Sequence, residues 1–273
     1  MRHSEVPPSS VGWRVLGLIT ARGGSKGIPR KNTRLLGGRP LLEYTAKSAL
    51  AATRVSRVIL STDDPEVAEV GRRCGLETPF MRPAELAQDT TPSLPVVQHA
   101  VRWLEARGER YDAVCLLQPT TPFRADGEID GCIALLQESG ADAVVTVRRV
   151  PDDFNPLWTY LRDAAGFLQL STGQTTPVPR RQELPPAFHR DGSVYVTRRG
   201  VVLDRNSLYG DRIVGSVVED LPWVNIDTAS DWARAEELLL TRACPPPVPG
   251  TTAGCAESVS RGQSVRCDAD ASK

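Results

Sequence analysis

The chain has 273 residues, of which 40% are hydrophobic and 24% charged, which is typical of one large soluble domain. Basic and acidic residues number 33 each, so the chain lacks the basic excess of nucleic-acid-binding proteins. No apolar run approaches the ~18 residues that a membrane helix needs, and the N-terminus lacks the apolar core of a secretory signal. We therefore expect neither a nucleic-acid nor a membrane partner.

Residues 1–12 are polar and proline-bearing, and we interpret them as a loose N-terminal arm. The predicted domain covers 13–240, where strand and helix patterns alternate. Strands are predicted at 14–20, 57–62, 113–118 and 141–150, and helices at 40–53, 65–75, 93–107 and 128–139. The 113–118 run is apolar up to Gln118, which favours a central parallel strand buried on both faces. This order predicts an α/β fold with a mostly parallel, doubly wound sheet.

The alternation breaks at Pro151. Residues 151–191 are rich in turns and carry several aromatic side chains, so we predict a small inserted lobe that acts as a lid, a dimer arm or both. A strand is predicted at 193–200, and 220–240 is predicted to hold a strand, a turn and a closing helix. The Pro/Gly-rich residues 241–273 are predicted to be a disordered tail.

The cysteines show no C-x-x-C pairing, which makes structural zinc improbable. Cys115 and Cys132 lie in apolar segments and are interpreted as small core residues. We therefore expect a reducing, cytoplasmic location. The six cysteines are Cys74, Cys115, Cys132, Cys244, Cys255 and Cys267.

The loop "ITARGGSKGIPRKN" places four basic residues and three glycines at the end of the first predicted strand. Ligands of open α/β sheets bind at the carboxyl ends of strands, and glycine-rich backbone with nearby cations binds anions. The loop matches neither the P-loop nor the dinucleotide fingerprint, since the required glycine spacings are missing. It is either a solvated surface loop or, as we favour, a binding site for a nucleotide triphosphate.

An ordered series of motifs covers Val15 to Leu240 and resembles the acylneuraminate (CMP-sialic acid) cytidylyltransferase family. The resemblance implies a nucleotide-diphospho-sugar transferase-like α/β fold with a small dimerisation lobe, hence a homodimer. It also implies transfer of CMP from CTP to a sugar acid, with pyrophosphate release and a need for Mg²⁺. The motifs are "ARGGSKGIPRKN", "STDDPEVAEVGRRCG", "RPAELAQDTTPS", "LLQPTTPFR", "RRQELPPAFHRDGSVYV", "SLYGD" and "NIDTASDWARAE".

The implied reaction is an in-line displacement at the α-phosphorus, in which catalysis is mostly positioning and charge neutralisation. The resemblance implies that three cations bind the triphosphate, namely Arg22, Lys26 and Lys31. It also implies that Arg22 and Lys31 are catalytic. Solvated charge is the alternative for all three. Arg30 is treated as a surface residue.

The resemblance also places Asn32, Arg82 and Ser93 at the nucleotide. Arg82 can donate to the cytosine base, and Ser93 can bond a base edge. Asn32 could instead be a cap or turn residue, and Ser93 could be the N-cap of the helix that follows. The carboxylates of Glu85 and Asp89 are expected to fix the loop rather than to touch an anion.

At the acceptor, the resemblance assigns Gln118 and Arg181. Gln118 ends the most buried strand and needs a polar partner. The guanidinium of Arg181 suits a carboxylate or a phosphonate, although a surface salt bridge is its alternative. His189 is assigned no chemistry.

The predicted metal ligands are Asp227 and Asn225, and here the chain departs from the family, whose members commonly carry two aspartates in this motif. Mg²⁺ takes one or two carboxylates together with phosphate oxygens and water, so Asp227 with the triphosphate could suffice. Asp227 could instead be a turn residue, although Thr228 and Asp231 compete for capping the next helix. Asp63 and Asp64 are further candidates, and Asn225 in place of an aspartate argues against two-metal catalysis of the usual kind.

Three functional readings follow. The first is a CTP-dependent cytidylyltransferase acting on an acidic nine-carbon sugar of the sialic, legionaminic or pseudaminic type. The second keeps the chemistry but transfers CMP to a small phosphonate in an antibiotic pathway. The third is a catalytically retired nucleotide-binding protein, which Asn225 motivates.

Overall fold

A computed structural model describes residues 12–219 and 221–243, apart from the side chains of 242 and 243. The N-terminal arm, except Gly12, and the tail from residue 244 lie outside the described residues. The strands are β1 (Val15–Thr20), β2 (Leu35–Leu36), β3 (Arg39–Pro40), β4 (Arg57–Ser61), β5 (Ala113–Leu117), β6 (Ala143–Arg149), β7 (Tyr160–Arg162), β8 (Leu168–Leu170), β9 (Phe188–Arg198) and β10 (Ile213–Val217). The helices are α1 (Leu41–Ala51), α2 (Pro65–Arg73), α3 (Ser93–Glu105), α4 (Glu128–Ser139), α5 (Arg199–Leu203) and α6 (Ala229–Ala243).

Six strands form a central sheet in the order β10-β6-β9-β5-β1-β4. β4, β1 and β5 run parallel to one another, as do β6 and β10. β9 runs antiparallel to both β5 and β6, between which it lies. The predicted α/β fold with a mostly parallel sheet is therefore confirmed, with one reversed strand in its middle.

The sheet is buried because helices cover both faces, as in other mostly parallel sheets. Along β1, Val15 and Ile19 belong to a cluster with residues of α1, α2 and α4, whereas Leu16 and Leu18 pack with residues of α3 and α5. All five residues of β5 are buried, as its apolar run predicts. Cys115 and Cys132 are core residues, as expected.

Two features at the edges of the predicted elements have local causes. The Asp64 carboxylate accepts hydrogen bonds from the backbone N–H groups of Glu66 and Val67. Asp64 is thus the N-cap of α2. The observed α4 matches its predicted bounds because Gly127 and Gly140, both in the left-handed conformation, flank it.

Four sequence predictions differ from the structure. The strand predicted within 220–240 is wrong, since 221–228 form no strand in the described part of the chain. Neither α5 nor the edge strand β10 was predicted. β9 begins at Phe188, so 188–191 belong to the central sheet rather than to the inserted lobe. α6 continues to Ala243, beyond the predicted boundary at 240.

The inserted lobe carries the β7–β8 hairpin and several exposed apolar side chains, among them Phe154, Leu161, Phe167 and Leu168. None of the helices in the described segments is both long enough and apolar enough to span a bilayer.

Candidate active site

A cavity of about 360 Å³ opens at the carboxyl ends of β1 and β5. We call it the first cavity. Four loops build it: those after β1 and β5, the segment before α3, and the segment before α6. Eight of the predicted site residues line it: Arg22, Lys31, Asn32, Arg82, Ser93, Gln118, Asn225 and Asp227. The topology therefore brings together residues that are far apart in the chain.

The loop after β1 is held in place by polar contacts and close packing. The Asn32 side-chain amide donates to the Arg22 carbonyl oxygen at 2.9 Å. The Gly23 N–H donates to the Asp63 carboxylate at 3.2 Å. At Gly27, a Cβ atom would lie 2.0 Å from the Asp227 carbonyl oxygen, and at Gly23 a Cβ atom would lie 2.2 Å from the Asp64 carboxylate. Both glycines are needed because no side chain fits there.

Two of the predicted triphosphate-binding cations share one counterion. Arg22 and Lys26 both pair with the Asp89 carboxylate, Lys26 at 2.8 Å. Hydrogen bonds from Lys26 and Arg22 hold the pKa of Asp89 below its usual value. Lys26 does not line the first cavity directly, but Asp89 does. Asp89 thus links the loop after β1 to the segment before α3, as expected of a loop-fixing carboxylate.

Lys31 lies deeper and contacts the predicted metal-binding segment. Its ammonium donates to the Ile226 carbonyl oxygen at 2.7 Å and to the Asp227 carboxylate at 2.9 Å. The Lys31 side chain is only 11% exposed. The Asn225 amide donates to the other Asp227 oxygen at 2.6 Å. Each carboxylate oxygen of Asp227 therefore accepts a hydrogen bond from a side chain of the protein, one from Lys31 and the other from Asn225.

The helix-capping alternative for Asp227 is wrong. The Asp231 carboxylate accepts from the backbone N–H groups of Asp227 and Thr228, and the Asp231 N–H donates to the Thr228 hydroxyl. Thr228 and Asp231 therefore cap the start of α6, so the Asp227 carboxylate does not act as a cap and lines the first cavity, paired with Lys31 and Asn225. Asp63 does not line the first cavity but fixes the glycine loop.

Arg82 and Ser93 also line the first cavity. The Arg82 guanidinium donates to the hydroxyl and the carbonyl oxygen of Ser61, and its burial lowers its pKa to about 10. It is therefore still charged at neutral pH. The N-cap alternative for Ser93 is wrong, because Pro92 occupies that position and Ser93 is the first residue of α3, with no side-chain cap bond.

Gln118 lies between the first cavity and a second cavity of about 500 Å³. Ser93 also lines both. The second cavity is otherwise formed by β5, β9, the start of α3 and the segment after α5, with Leu94, Leu116, Arg190, Tyr195, Asn206, Ser207, Leu208 and Tyr209 in its wall, next to Pro92.

The position of Gln118 depends on Arg124, which sequence reasoning missed. The buried Arg124 guanidinium donates to the carbonyl oxygens of Gln118 and Ser193 and to the Thr45 hydroxyl. Burial lowers the pKa of Arg124 to about 10. It joins the end of β5 to β9 and α1. Its place in the "LLQPTTPFR" motif, directly after an apolar Pro-Phe pair, was the available signal.

Arg181 is not brought to either cavity. It lies on a short 3₁₀ turn of the inserted lobe, donates to the Asp152 carboxylate at 2.8 Å and is 69% exposed. The hydrogen bond that Arg181 donates to the Asp152 carboxylate raises the pKa of Arg181. The surface salt bridge named as its alternative describes this geometry.

The sheet topology and the cationic cavity at its carboxyl edge define an α/β nucleotidyltransferase. The model of the cytidylyltransferase family matches residues 16–208, which is most of the chain. The chain therefore belongs to the cytidylyltransferase family, and the resemblance found in its motifs is confirmed.

Curated relatives are similar over much of the chain. The CMP-N,N'-diacetyllegionaminic acid synthase of Legionella pneumophila is 31% identical over 231 residues, 83% of this chain and 96% of the relative. A pseudaminic acid cytidylyltransferase of Campylobacter jejuni is 43% identical over 106 residues, 39% of this chain and 46% of the relative.

A solved structure of CMP-2-keto-3-deoxy-manno-octonic acid synthetase with CTP shares the fold. It has a TM-score of 0.63 at 16% identity, and the match covers 84% of this chain and 99% of that one.

Proposed function

We propose that the protein transfers CMP from CTP to the hydroxyl of an acidic nine-carbon sugar of the legionaminic, pseudaminic or sialic type and releases pyrophosphate. The observation that carries the proposal is the convergence of Arg22, Lys31 and Arg82 on a first cavity that adjoins a second one through Gln118. The named activities of the relatives from Legionella and Campylobacter support this acceptor class.

The nucleotide occupies the first cavity. Arg22, Lys26 and Lys31 bind the triphosphate, which must replace the Asp89 carboxylate as the partner of Arg22 and Lys26. Arg82 and Ser93 bind the cytosine edge, because Arg82 is a pure donor and the Ser93 hydroxyl has no cap bond to make. Asn32 acts indirectly by fixing the loop through the Arg22 carbonyl oxygen.

The acceptor occupies the second cavity and presents its hydroxyl to the α-phosphorus near Gln118. As the hydroxyl oxygen bonds to phosphorus, its proton passes to water, the bond to the pyrophosphate oxygen breaks and charge builds on the phosphoryl oxygens. Lys31 and Arg22 neutralise that charge in a site where they are already oriented, which is the largest catalytic effect such a site offers. The buried position of Lys31 strengthens the effect, since screening by water is reduced.

The residues fit one Mg²⁺ ion that the triphosphate shares. The described residues contain no group of three or more His, Cys, Asp or Glu side chains that could hold a metal alone. Mg²⁺ commonly binds one or two carboxylates plus phosphate oxygens, and Asp227 at the rim of the first cavity offers one, with the Asn225 amide beside it. Mg²⁺ would neutralise phosphate charge there.

We further propose that the protein is a homodimer formed through the inserted lobe. Phe154, Leu161, Phe167 and Leu168 are each more than 60% exposed in the single chain. Three of them belong to the β7–β8 hairpin, and exposed large apolar side chains concentrated in one lobe are typical of an interaction surface. A reducing, cytoplasmic location remains our proposal too, supported by the free thiols of Cys74, Cys115 and Cys132. Alkylation of Cys74, which is the partly exposed one of the three, in unbroken cells would test it.

The decisive experiment is pyrophosphate release from CTP and Mg²⁺ with a panel of acceptors. The panel holds N,N'-diacetyllegionaminic, pseudaminic and sialic acids and several small phosphonates. We expect release with at least one nine-carbon acid, and a loss of kcat of about 10²–10³-fold in Lys31→Ala. Arg30→Gln is the matched control, because Arg30 lies in the same loop but pairs with the exposed Glu66.

Release with a phosphonate alone would replace the proposed acceptor class. CTP binding without release for any acceptor would instead favour a retired active site.

A further inference from the structure

The second cavity contains a single charge. Among the described residues that line it, only Arg190 is charged, and the rest are apolar or neutral polar side chains. Leu94, Leu116 and Leu208 provide an apolar wall, and the tyrosine hydroxyls provide neutral hydrogen-bonding groups. A cavity of about 500 Å³ is large enough for a ligand of small-molecule size. Its chemistry therefore fits an amphipathic ligand with one negative charge.

Arg190 has no acidic partner in the described part of the chain. Its guanidinium donates to the Tyr209 hydroxyl and lies over the Tyr209 ring, 5.2 Å from the ring centroid. A guanidinium has five donors, so most of them remain available. Two arginines of the inserted lobe differ in this respect, since Arg180 pairs with Glu183 and Arg181 with Asp152.

The reversed strand β9 brings Arg190 to the edge of the sheet at which β5 ends and the first cavity opens. Because β9 is antiparallel to β5, its amino end meets the carboxyl end of β5, where Gln118 follows. Gly192 makes this approach close: its φ is +85°, and a Cβ atom there would lie 3.3 Å from the Thr121 methyl group and 3.8 Å from the Gln118 side-chain oxygen. Arg190 is two residues away on the same strand.

We propose that Arg190 binds the carboxylate of the acceptor and is the residue that makes the enzyme select acidic acceptors. This inference rests on the proposed function and names the group that recognises the acid. A planar guanidinium can bind both carboxylate oxygens at once. Stacking on the Tyr209 ring orients the Arg190 guanidinium before the ligand binds, which reduces the conformational entropy lost on binding. Arg181, committed to Asp152 in the lobe, is not required for this contact.

The test compares an acid with its neutral analogue. The kcat/KM values are measured for the best acidic acceptor of the panel and for its carboxamide. Wild type should favour the acid by about 10- to 100-fold, the usual worth of hydrogen bonds to a charged group. Arg190→Gln should lower kcat/KM for the acid by a similar factor, leave the KM for CTP unchanged and turn over acid and amide at equal efficiency. Arg190→Lys should recover part of the preference.

Two control variants separate recognition from structural support. Tyr209→Phe removes the hydrogen bond to Arg190 but keeps the ring and the charge, so the preference for the acid should persist. Arg180→Gln removes an exposed arginine of the lobe that pairs with Glu183, and it should behave as wild type. If turnover by Arg190→Gln is too slow to follow, acid and amide are titrated calorimetrically onto wild type and variant with CMP present.

An unchanged ratio of acid to amide in Arg190→Gln would overturn the inference, even if its turnover fell, because the fall would then be structural. In that case the proposed function would still stand on the wild-type turnover. No turnover by wild type with any nine-carbon acid would overturn both.

Discussion

At the scale of single residues, the loop after β1 shows how tightly the first cavity is built. Gly27 lies against the backbone of Asp227, and Lys31 from the same loop reaches the carboxylate of that residue. The cationic loop and the segment before α6 are therefore one unit. A change at the contact between them should disturb both the cations and Asp227.

Gly27→Ala tests this contact. The added methyl group would lie 2.0 Å from the Asp227 carbonyl oxygen, so the two segments must separate. We expect a loss of about 1–3 kcal/mol in the free energy of unfolding, as for other overpacked sites, together with a raised KM for CTP. Urea unfolding and steady-state kinetics measure the two effects.

Gly24→Ala is the matched control for stability. A Cβ atom at Gly24 has no neighbour within 4 Å, so the unfolding free energy should hardly change. Equal losses in the two variants would show that the loop simply prefers glycine and that the contact with Asp227 is unimportant.

Asn225 supports a second prediction at this scale. Asn225→Asp would place two carboxylates beside the triphosphate, which attract a divalent cation more strongly than one carboxylate and an amide. We expect the Mg²⁺ concentration for half-maximal pyrophosphate release to fall several-fold. A titration of the rate with Mg²⁺ at saturating CTP measures it. An unchanged or raised requirement would show that position 225 does not contact the metal.

At the scale of elements, the segment between α5 and β10 is organised around one carboxylate. Asp142, just before β6, accepts hydrogen bonds from the backbone N–H groups of Asp211 and Arg212 and from the Arg205 guanidinium. The backbone donors, first that of Asp211 and then that of Arg212, and the charge of Arg205 hold the pKa of Asp142 below its usual value. This arrangement positions β10 at the edge of the sheet.

The lowered pKa predicts how stability depends on pH. A carboxyl group with a depressed folded-state pKa stabilises fully above its unfolded value, about 3.9, and loses that contribution as the pH falls through the folded value. Asp142→Asn should therefore lower the melting temperature at pH 7, and the difference from wild type should shrink below about pH 4. Thermal unfolding from pH 7 to pH 3 measures this.

Asp126→Asn, which changes an exposed aspartate, is the control and should follow wild type throughout. A gap between wild type and Asp142→Asn that stays constant with pH would mean that Asp142 contributes through its shape rather than its charge.

Elements with local signals were predictable from the sequence, and those defined by distant partners were not. α4 was placed within its bounds because a glycine lies at each end. The strand expected before α6 failed for a physical reason: Ile226 donates its N–H to the Thr120 carbonyl oxygen, and the next two N–H groups bind Asp231. Such partners are invisible in a local pattern. β10, short and with alternating exposure, gave a weak signal.

The residues of the candidate site likewise fall into those that the sequence revealed and those that it did not. Residues on the motif loops, such as Arg22 and Asp227, were found because chemistry and spacing are local properties. Arg124 and Arg190 were missed, since their importance arises from β9 lying next to β5, a pairing that the chain order does not reveal. Arg181 was assigned by resemblance, but its ion pair with Asp152 keeps it in the lobe.

At the scale of the whole molecule, the inserted lobe should decide the oligomeric state. The double variant Leu161→Glu/Phe167→Glu adds charge to the exposed hairpin, which opposes burial in an interface. We expect the dimer to become a monomer of 29.7 kDa, while CTP binding is retained because the first cavity lies elsewhere. Light scattering and CTP titration measure the two properties.

Leu240→Glu changes an apolar side chain that is equally exposed but lies on α6, and it should remain dimeric. A wild-type chain that scatters as a monomer would contradict the proposed assembly outright.

The place of β9 in the sheet also has a consequence for how the chain is made. On the ribosome, β1, β4 and β5 emerge first and can pair as they do in the final sheet. β6 emerges next but has no partner until β9 is synthesised, because β9 lies between β5 and β6. Until then, one edge of β5 and both edges of β6 are open to pairing with other chains. The nascent chain thus completes the strands that border the first cavity early and the strand that carries Arg190 late, and we expect chaperones to be most needed during that interval.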